Sequence, residues 1–328
     1  LRTGSGGEHG DLHGALSVPR VTAIIPTFNW SSVLPFSIGS VLRQTFQDFE
    51  LLVIGDGCTD DSEQVVNGIG DPRVRWMNLP ANSGHQSEAN NLGLRKARGD
   101  VIAYLGHDDL WLPHHLSVMV AAIDGGADMS YGITAMIAPD GSAPQAAPDR
   151  LGEYVPGLWI PPTGVVHRRL PALEAGGWPL FHQVDCDPEL ALWEQMHKRG
   201  NKVVFIARLT AVKFPGAWRK DVYKVRAVHE QAEWSKKIAT QPDVEAIELG
   251  AMLVANGVSR EPDTQGKPFT RALREFADDV SGRVRRRLFG PPPKPKPKTR
   301  LEVFNERRQF KGLDPKPMPG SESTFDAG

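Results

Sequence analysis

Val101-Ile-Ala-Tyr-Leu-Gly-His-Asp-Asp-Leu-Trp-Leu-Pro113 decides how this 328-residue chain is read, because an apolar run passes directly into two adjacent carboxylates and then a proline. A short apolar run that ends in charge is a buried strand delivering a polar loop. In an open parallel sheet, ligands bind beyond the carboxyl ends of the strands, so Asp108 and Asp109 are expected where a substrate sits.

The flanking segments repeat the pattern. Val21–Ile25 reads as a β-rich run ending at Pro26-Thr-Phe-Asn29, after which Ser31 or Ser32 is placed to cap a helix bearing Leu34, Ile38, Val41 and Leu42 on one face. Phe49–Ile54 is a second apolar run, ending at Gly55-Asp-Gly-Cys-Thr-Asp-Asp-Ser62. A helix led by Asp60 or Asp61, a strand over 74–79, a break at Asn82-Ser-Gly-His85 and a helix over 88–98 complete the approach to Val101. Strands alternating with amphipathic helices imply right-handed βαβ crossovers and a mostly parallel sheet. Three loops, 26–30, 55–62 and 106–113, are then expected at one edge of it.

Beyond Pro113 the spacing predicts a helix through Leu116 to Ile123, strands over 129–137, 163–167 and 202–206, and a helix through Leu190, Trp193 and Met196. Phe269, Leu273, Phe276, Val280, Val284 and Leu288 recur at helical spacing, and Gly290-Pro-Pro-Pro-Lys-Pro-Lys-Pro-Lys298 reads as an extended linker. The expected organisation is a leader over 1–17, a sheet-and-helix domain over 18–224, a helical extension over 225–290, and a Pro/Lys-rich linker and tail over 291–328.

Composition narrows the classes. Hydrophobic residues make up 40%, enough for a core, and no window approaches the roughly 20 apolar residues of a membrane span. The two cysteines, Cys58 and Cys186, cannot form a four-cysteine zinc site and suit a reducing, cytoplasmic setting. The net charge of −1 conceals eleven Lys/Arg against two Glu in residues 283–311, which leaves about −10 on the remainder. The run from Arg283 to Lys298 is therefore the expected contact with an anionic membrane surface, with a helix packed on the 18–224 domain and a solvated tail as the competing reading. No nucleic-acid partner is expected, and oligomeric state is not encoded in any pattern here.

The paired carboxylates admit three readings. They form a hard-cation site for Mg²⁺ or Mn²⁺ bridging to substrate phosphates, or they cap the next helix, or they join His107, His114 and His115 in a zinc or iron cluster. A P-loop and a dinucleotide glycine fingerprint are both absent from the sequence.

Taken in order, Thr22-Ala-Ile-Ile-Pro-Thr-Phe-Asn29, Ser40 through Asp60, Asn82-Ser-Gly84 and Leu105-Gly-His-Asp-Asp-Leu-Trp-Leu-Pro113 resemble the signature of the family 2 glycosyltransferases. The resemblance runs from about Val18 to Phe214. It implies an α/β, GT-A (nucleotide-diphospho-sugar transferase) fold, with a mostly parallel central sheet flanked by helices and a helical C-terminal extension. It also implies a nucleotide-diphospho-sugar donor, a divalent cation (Mn²⁺ or Mg²⁺), a glycan or lipid-linked acceptor, and inversion at the anomeric carbon.

Carried over by position, the resemblance implies that Pro26, Thr27 and Phe28 enclose the base and Asp56 reads it, with Asn29, Asn82, His107 and Asp108 also binding the donor. Asp108 holds the metal with Asp109 beside it, and Asp185 is the catalytic base, with Asp187 in reserve. Gly106 departs from the first acid of the D-x-D pattern, Gly55 and Cys58 depart from Asp-Asp-Gly-Ser, Asn90 stands in place of Arg, and Val184 in place of Glu. Trp159, His167, Arg168 and Trp178 fall on the implied acceptor side, with core packing as the alternative. Lys213, Trp218, Arg219 and Lys220 fall where the resemblance implies a loop closing over the diphosphate, with a solvated basic loop as the alternative. The competing functions are a sugar-nucleotide nucleotidyltransferase and a degenerate module that holds a sugar nucleotide without turnover.

Overall fold

The computed structural model describes residues 18–143, 145–149, 152–258 and 299–316. Its centre is a nine-stranded sheet: β1 Val21–Thr27, β2 Phe49–Gly55, β3 Val74–Asn78, β4 Val101–Tyr104, β5 Leu110–Trp111, β6 Met129–Met136, β7 Gln145–Ala147, β8 Val165–Arg168 and β9 Val203–Lys213. The order is β3-β2-β1-β4-β8-β6-β9-β5, with β7 on β6. Strands β3, β2, β1 and β4 are parallel; β8 is antiparallel to both β4 and β6, and β9 runs parallel to β6. The expected α/β architecture is present, but the sheet is mixed and not mostly parallel, because β5, β7 and β8 pair antiparallel with their neighbours; every residue of β1, β2, β4 and β6 is buried, as near-continuous apolar strands in a two-faced sheet must be.

Helices cover both faces. On one side α1 (Leu34–Leu42) and α4 (His115–Asp124) bury Leu34, Ile38, Leu116, Met119 and Ile123 against Ile25, Val53 and Ala103. On the other, α3 (Gln86–Lys96), α5 (Arg169–Glu174) and α6 (Pro188–Lys198) enclose Ile24, Tyr104, Trp178 and Trp193. A Cβ at Gly93 would lie 2.7 Å from Ile24 Cγ2, so glycine lets α3 approach β1 and carries the 82–85 loop to the strand ends. The remaining helices are α2 (Ser62–Asn67), α7 (Val222–Val225), α8 (His229–Thr240), α9 (Val244–Val258) and α10 (Arg300–Phe310).

Several local expectations change. Ser31–Val33 is a 3₁₀ turn in which neither serine caps α1; the Ser31 N–H instead donates to Asp60 Oδ2 at 3.1 Å. Residues 106–113 are not one open loop, because Leu110 and Trp111 pair antiparallel with Val212 and Ala211, closing Gly106–Asp109 into a tight turn. Strand β8 begins only at Val165, after a 3₁₀ turn at Pro162–Gly164, and β9 continues to Lys213, past the expected Ile206. Residues 300–310, read as tail, form α10, capped by a reciprocal Thr299–Glu302 box. The apolar helix pattern from Phe269 to Leu288 and the basic run 283–298 lie outside the described residues, as does the 1–17 leader. Among the described residues no helix is long and apolar enough to cross a membrane.

Candidate functional site

Parallel register sets the ends of β1, β2 and β4 side by side, and their loops open into one cleft of about 860 Å³. Pro26, Thr27, Phe28, Asp56, Asn82, His107 and Asp108 line it from the sheet side. Asp185, Asp187 and Glu189 line it from the start of α6, and residues of α10 face them. The sequence-derived residues are thus brought together, apart from Asn29 and Asp109, which serve the walls.

Asn29 joins two loops. Its Oδ1 accepts from the Thr59 N–H at 2.7 Å and the Asp60 N–H at 3.3 Å, and its backbone takes a positive φ of 44°, which asparagine tolerates. Asp56 is buried, its oxygens accepting from Asn82 Nδ2 at 2.8 Å, the Ser83 N–H at 2.8 Å and the Gly84 N–H at 3.2 Å. Burial pushes its carboxyl above the usual range despite those donors. A carboxylate offers about four lone-pair directions, so Asp56 retains acceptor capacity for a ligand while fixing the 82–84 loop.

His107 is held on both ring nitrogens, Nδ1 against Thr27 Oγ1 at 2.9 Å and Nε2 against the Tyr223 hydroxyl at 3.4 Å, with Trp30 edge-on at 5.5 Å. Burial lowers its pKa, which favours the neutral ring, so it braces the β1 and β4 loops.

Asp109 is fully buried. Its Oδ2 accepts from Lys213 Nζ at 2.9 Å and from the Thr163 hydroxyl, and its Oδ1 accepts from the Phe214 N–H at 3.0 Å. Asp109, expected beside Asp108 at the metal, does not line the cleft; its oxygens face the β9 end and Thr163. The same packing bears on Gly106: a Cβ there would lie 2.5 Å from Asp109 Oδ2, so an acid at this position would require the inward carboxylate to shift. Asp108 faces the cleft, its pKa raised by burial and by Asp109 against the pull of His107 and Lys213.

The zinc or iron arrangement is not assembled. His115 is fully buried and stacked on Trp111 at 4.3 Å, and burial lowers its pKa to about 3; His114 Nε2 meets Leu209 O at 3.0 Å. Among the described residues no group of three or more His, Cys, Asp or Glu side chains is placed to hold a metal. A hard cation here would rest on Asp108 and on oxygens brought by a ligand, a donor set that Mg²⁺ accepts.

Across the cleft, Asp185 is exposed, while Asp187 pairs with Arg307 at 3.4 Å. Glu189, the second residue of α6, escaped the sequence reading. It is buried, its Oε1 accepts from Trp159 Nε1 at 3.2 Å, and burial followed by Asp187's charge raises its pKa. The i, i+2, i+4 run of acids from 185 to 189 was its only sequence signal. Of the acceptor-side candidates, Trp159 alone lines the cleft. Trp178 packs on Tyr104 and Trp193, His167 is buried among the same rings with its pKa lowered by burial to about 4, and Arg168 donates to the Ile123 and Ala127 carbonyls. Lys213 and Trp218 reach the cleft, whereas Arg219 pairs with Glu230.

Residues 22–154 match the family model described as Glycosyl transferase family 2. An uncharacterized glycosyltransferase of Haemophilus influenzae is 40% identical over 96 residues, covering 29% of this chain and 38% of that one. A Campylobacter jejuni GalNAc(5)-diNAcBac-PP-undecaprenol beta-1,3-glucosyltransferase is 31% identical over 118 residues, 35% of this chain and 38% of that protein. The chain thus spans well under half the length of these curated relatives. Among solved structures, Staphylococcus aureus TarS 1-349 with UDP-GlcNAc superposes with a TM-score of 0.53 at 18% identity, covering 81% of this chain and 82% of that one. A Pyrobaculum calidifontis mannosyltransferase with GDP-Man and Mn²⁺ gives 0.50 at 15% identity, with 82% and 83% covered.

Proposed function

We propose, from the match of residues 22–154 to the family 2 glycosyltransferase model, that the protein is an inverting glycosyltransferase of GT-A-like fold moving a sugar from a nucleotide-diphospho-sugar to an acceptor hydroxyl. The observation that carries the reading is the shared cleft, with the base loops and Asp108 on one wall and the acids at the start of α6 on the other.

In this assignment the nucleobase lies by Phe28 and Asp56, in the slot shaped by Pro26, Thr27 and Asn82. The exposed Asp185 takes the acceptor's proton as its oxygen forms the new bond to the anomeric carbon from one face. The bond from that carbon to the diphosphate oxygen breaks on the opposite face, and the nucleoside diphosphate leaves with the electron pair. Mg²⁺ or Mn²⁺ would be held by Asp108 together with the donor's phosphate oxygens, and when bound it supplies charge neutralisation for the leaving group. Asp109 acts as the anchor that fixes Lys213 and the Asp108 turn. Trp159 offers an aromatic face for an acceptor sugar. The mannosyltransferase with bound GDP-Man and Mn²⁺ supports the cation assignment by likeness of fold.

The test is nucleoside diphosphate release from a panel of nucleotide sugars with Mn²⁺ or Mg²⁺, comparing the wild type with Asp108→Ala and Asp185→Asn. Release that persists undiminished in both variants refutes the site assignment. Donor binding without release by the wild type would instead make the domain a sugar-nucleotide-binding module.

A further inference from the structure

Helix α10 and the six residues after it reach the cleft from more than 80 positions beyond the last strand of the sheet, and they touch three of its walls. Phe304 stacks on Phe181 at 3.7 Å, and Arg307 meets Asp187 at 3.4 Å. Arg308, itself buried, donates to the Gly84 carbonyl at 2.8 Å, and Lys316 Nζ donates to the Asn82 carbonyl at 2.7 Å. The main chain joins in, with the Asp221 N–H donating to Phe310 O at 2.8 Å and the Tyr223 N–H to Lys311 O at 3.0 Å. The segment is therefore docked on the same 82–84 loop that Asp56 organises.

Lys311 is the C-cap of this helix. Its stem packs under the loop that follows Lys213: a Cβ at Gly216 would lie 3.4 Å from Lys311 Cε and 3.7 Å from Nζ. The residue is half-buried and lines the cleft, and its ammonium makes no hydrogen bond or ion pair within 4.0 Å among the described residues. Asp108 and Glu189 attract it from a distance, while Lys213 and Arg307 repel it. Lys213, by contrast, is paired with Asp109. A partly desolvated cation with no anion in contact is costly until one joins it. A diphosphate is such an anion, and the cleft between the base slot and the α6 acids is where a donor's diphosphate would lie.

We propose that α10 is a working part of the donor site, and that Lys311, across from Lys213, binds the donor's diphosphate directly. The inference rests on the donor-site reading above and adds to it a ligand supplied from outside the sheet domain.

The experiment measures, by calorimetry on the full chain, the affinities of UDP and GDP alongside UMP and GMP for the wild type, Lys311→Met and Lys311→Arg. The expected result is a loss of about tenfold to a hundredfold for the bound diphosphate in Lys311→Met, as for one lost charge-assisted hydrogen bond, with the monophosphate changed less than about threefold. Lys311→Arg, which keeps the charge, recovers most of the diphosphate affinity and excludes a folding defect. Equal diphosphate affinity in the wild type and Lys311→Met overturns the inference while leaving the donor site standing, as does an equal loss for mono- and diphosphate. Binding of no nucleotide by the wild type overturns the donor-site reading and this inference with it.

Discussion

Replacing Lys213 with methionine keeps the aliphatic stem and removes the ammonium that lies 2.9 Å from Asp109 Oδ2. Asp109 has no exposure to solvent and the Lys213 side chain is 23% exposed, so the carboxylate left behind is isolated from water. At an effective dielectric of about 20, two charges at that separation attract by roughly 6 kcal/mol before desolvation, and breaking one side of a buried pair costs about 3–5 kcal/mol net. The Thr163 hydroxyl and the Phe214 N–H still donate to Asp109, which places the expected loss near the lower bound, about 3 kcal/mol. For a domain of this size that is a fall in Tm of roughly 6–12 °C. Thermal unfolding of Lys213→Met, Asp109→Asn and the double variant checks it. Because the two groups act on each other, the double variant should lose less than the sum of the singles. A fall under about 2 °C in Lys213→Met, or strictly additive losses, would refute the claim that this pair fixes the Asp108 turn.

Gly106→Ala should destabilise by about 1–3 kcal/mol, since its methyl meets the Asp109 carboxylate, and Gly106→Asp should fail to raise metal affinity; a stable, tighter-binding Gly106→Asp would show that the turn has room. Glu50 is buried and accepts from Thr22, Arg75, the Arg98 N–H and the Arg98 guanidinium. Burial works against its charge, but those donors win and hold its pKa below 4.5. Its stabilising contribution is therefore full above that value and lost as pH falls through the lower folded value. Urea unfolding at about pH 6 and about pH 3 should show the advantage of wild type over Glu50→Gln shrinking with acid, and a constant gap contradicts this. Asp185→Asn should cut turnover by about 10²–10⁴ with donor affinity preserved, and if Glu189→Gln shows that loss instead, the base is Glu189. Sedimentation with anionic vesicles at low salt should favour the full chain over one ending at Ser281, and equal binding ends the membrane proposal for residues 283–298.

Much of the architecture was legible because burial on both faces of a sheet writes itself as uninterrupted apolar runs. Val21–Ile25, Phe49–Ile54 and Val101–Tyr104 could be placed for that reason, and their parallel order then required Asp56 and Asp108 to emerge at the same edge. Leu110–Trp111 was missed as a strand because two residues carry no period; only pairing with β9 makes them one. The positions of Trp178 and His167 were open for a similar reason, since an aromatic ring in a sequence does not declare whether it faces a core or a ligand.

What the sequence determined by itself was the set of strand-end loops and the residue types they carry, because both follow from local periodicity and chain order. What only the tertiary structure decided was the allocation of charge. Asp108 and Asp109 are neighbours of one residue type, yet one faces the cleft and the other is held by Lys213 from a strand more than a hundred residues away. Gly106 then ceases to be a missing ligand and becomes the space that Asp109 occupies. Lys311 reaches the cleft on a helix that the sequence placed in a tail. Such partnerships depend on distances between segments remote in the chain, and no local pattern records them.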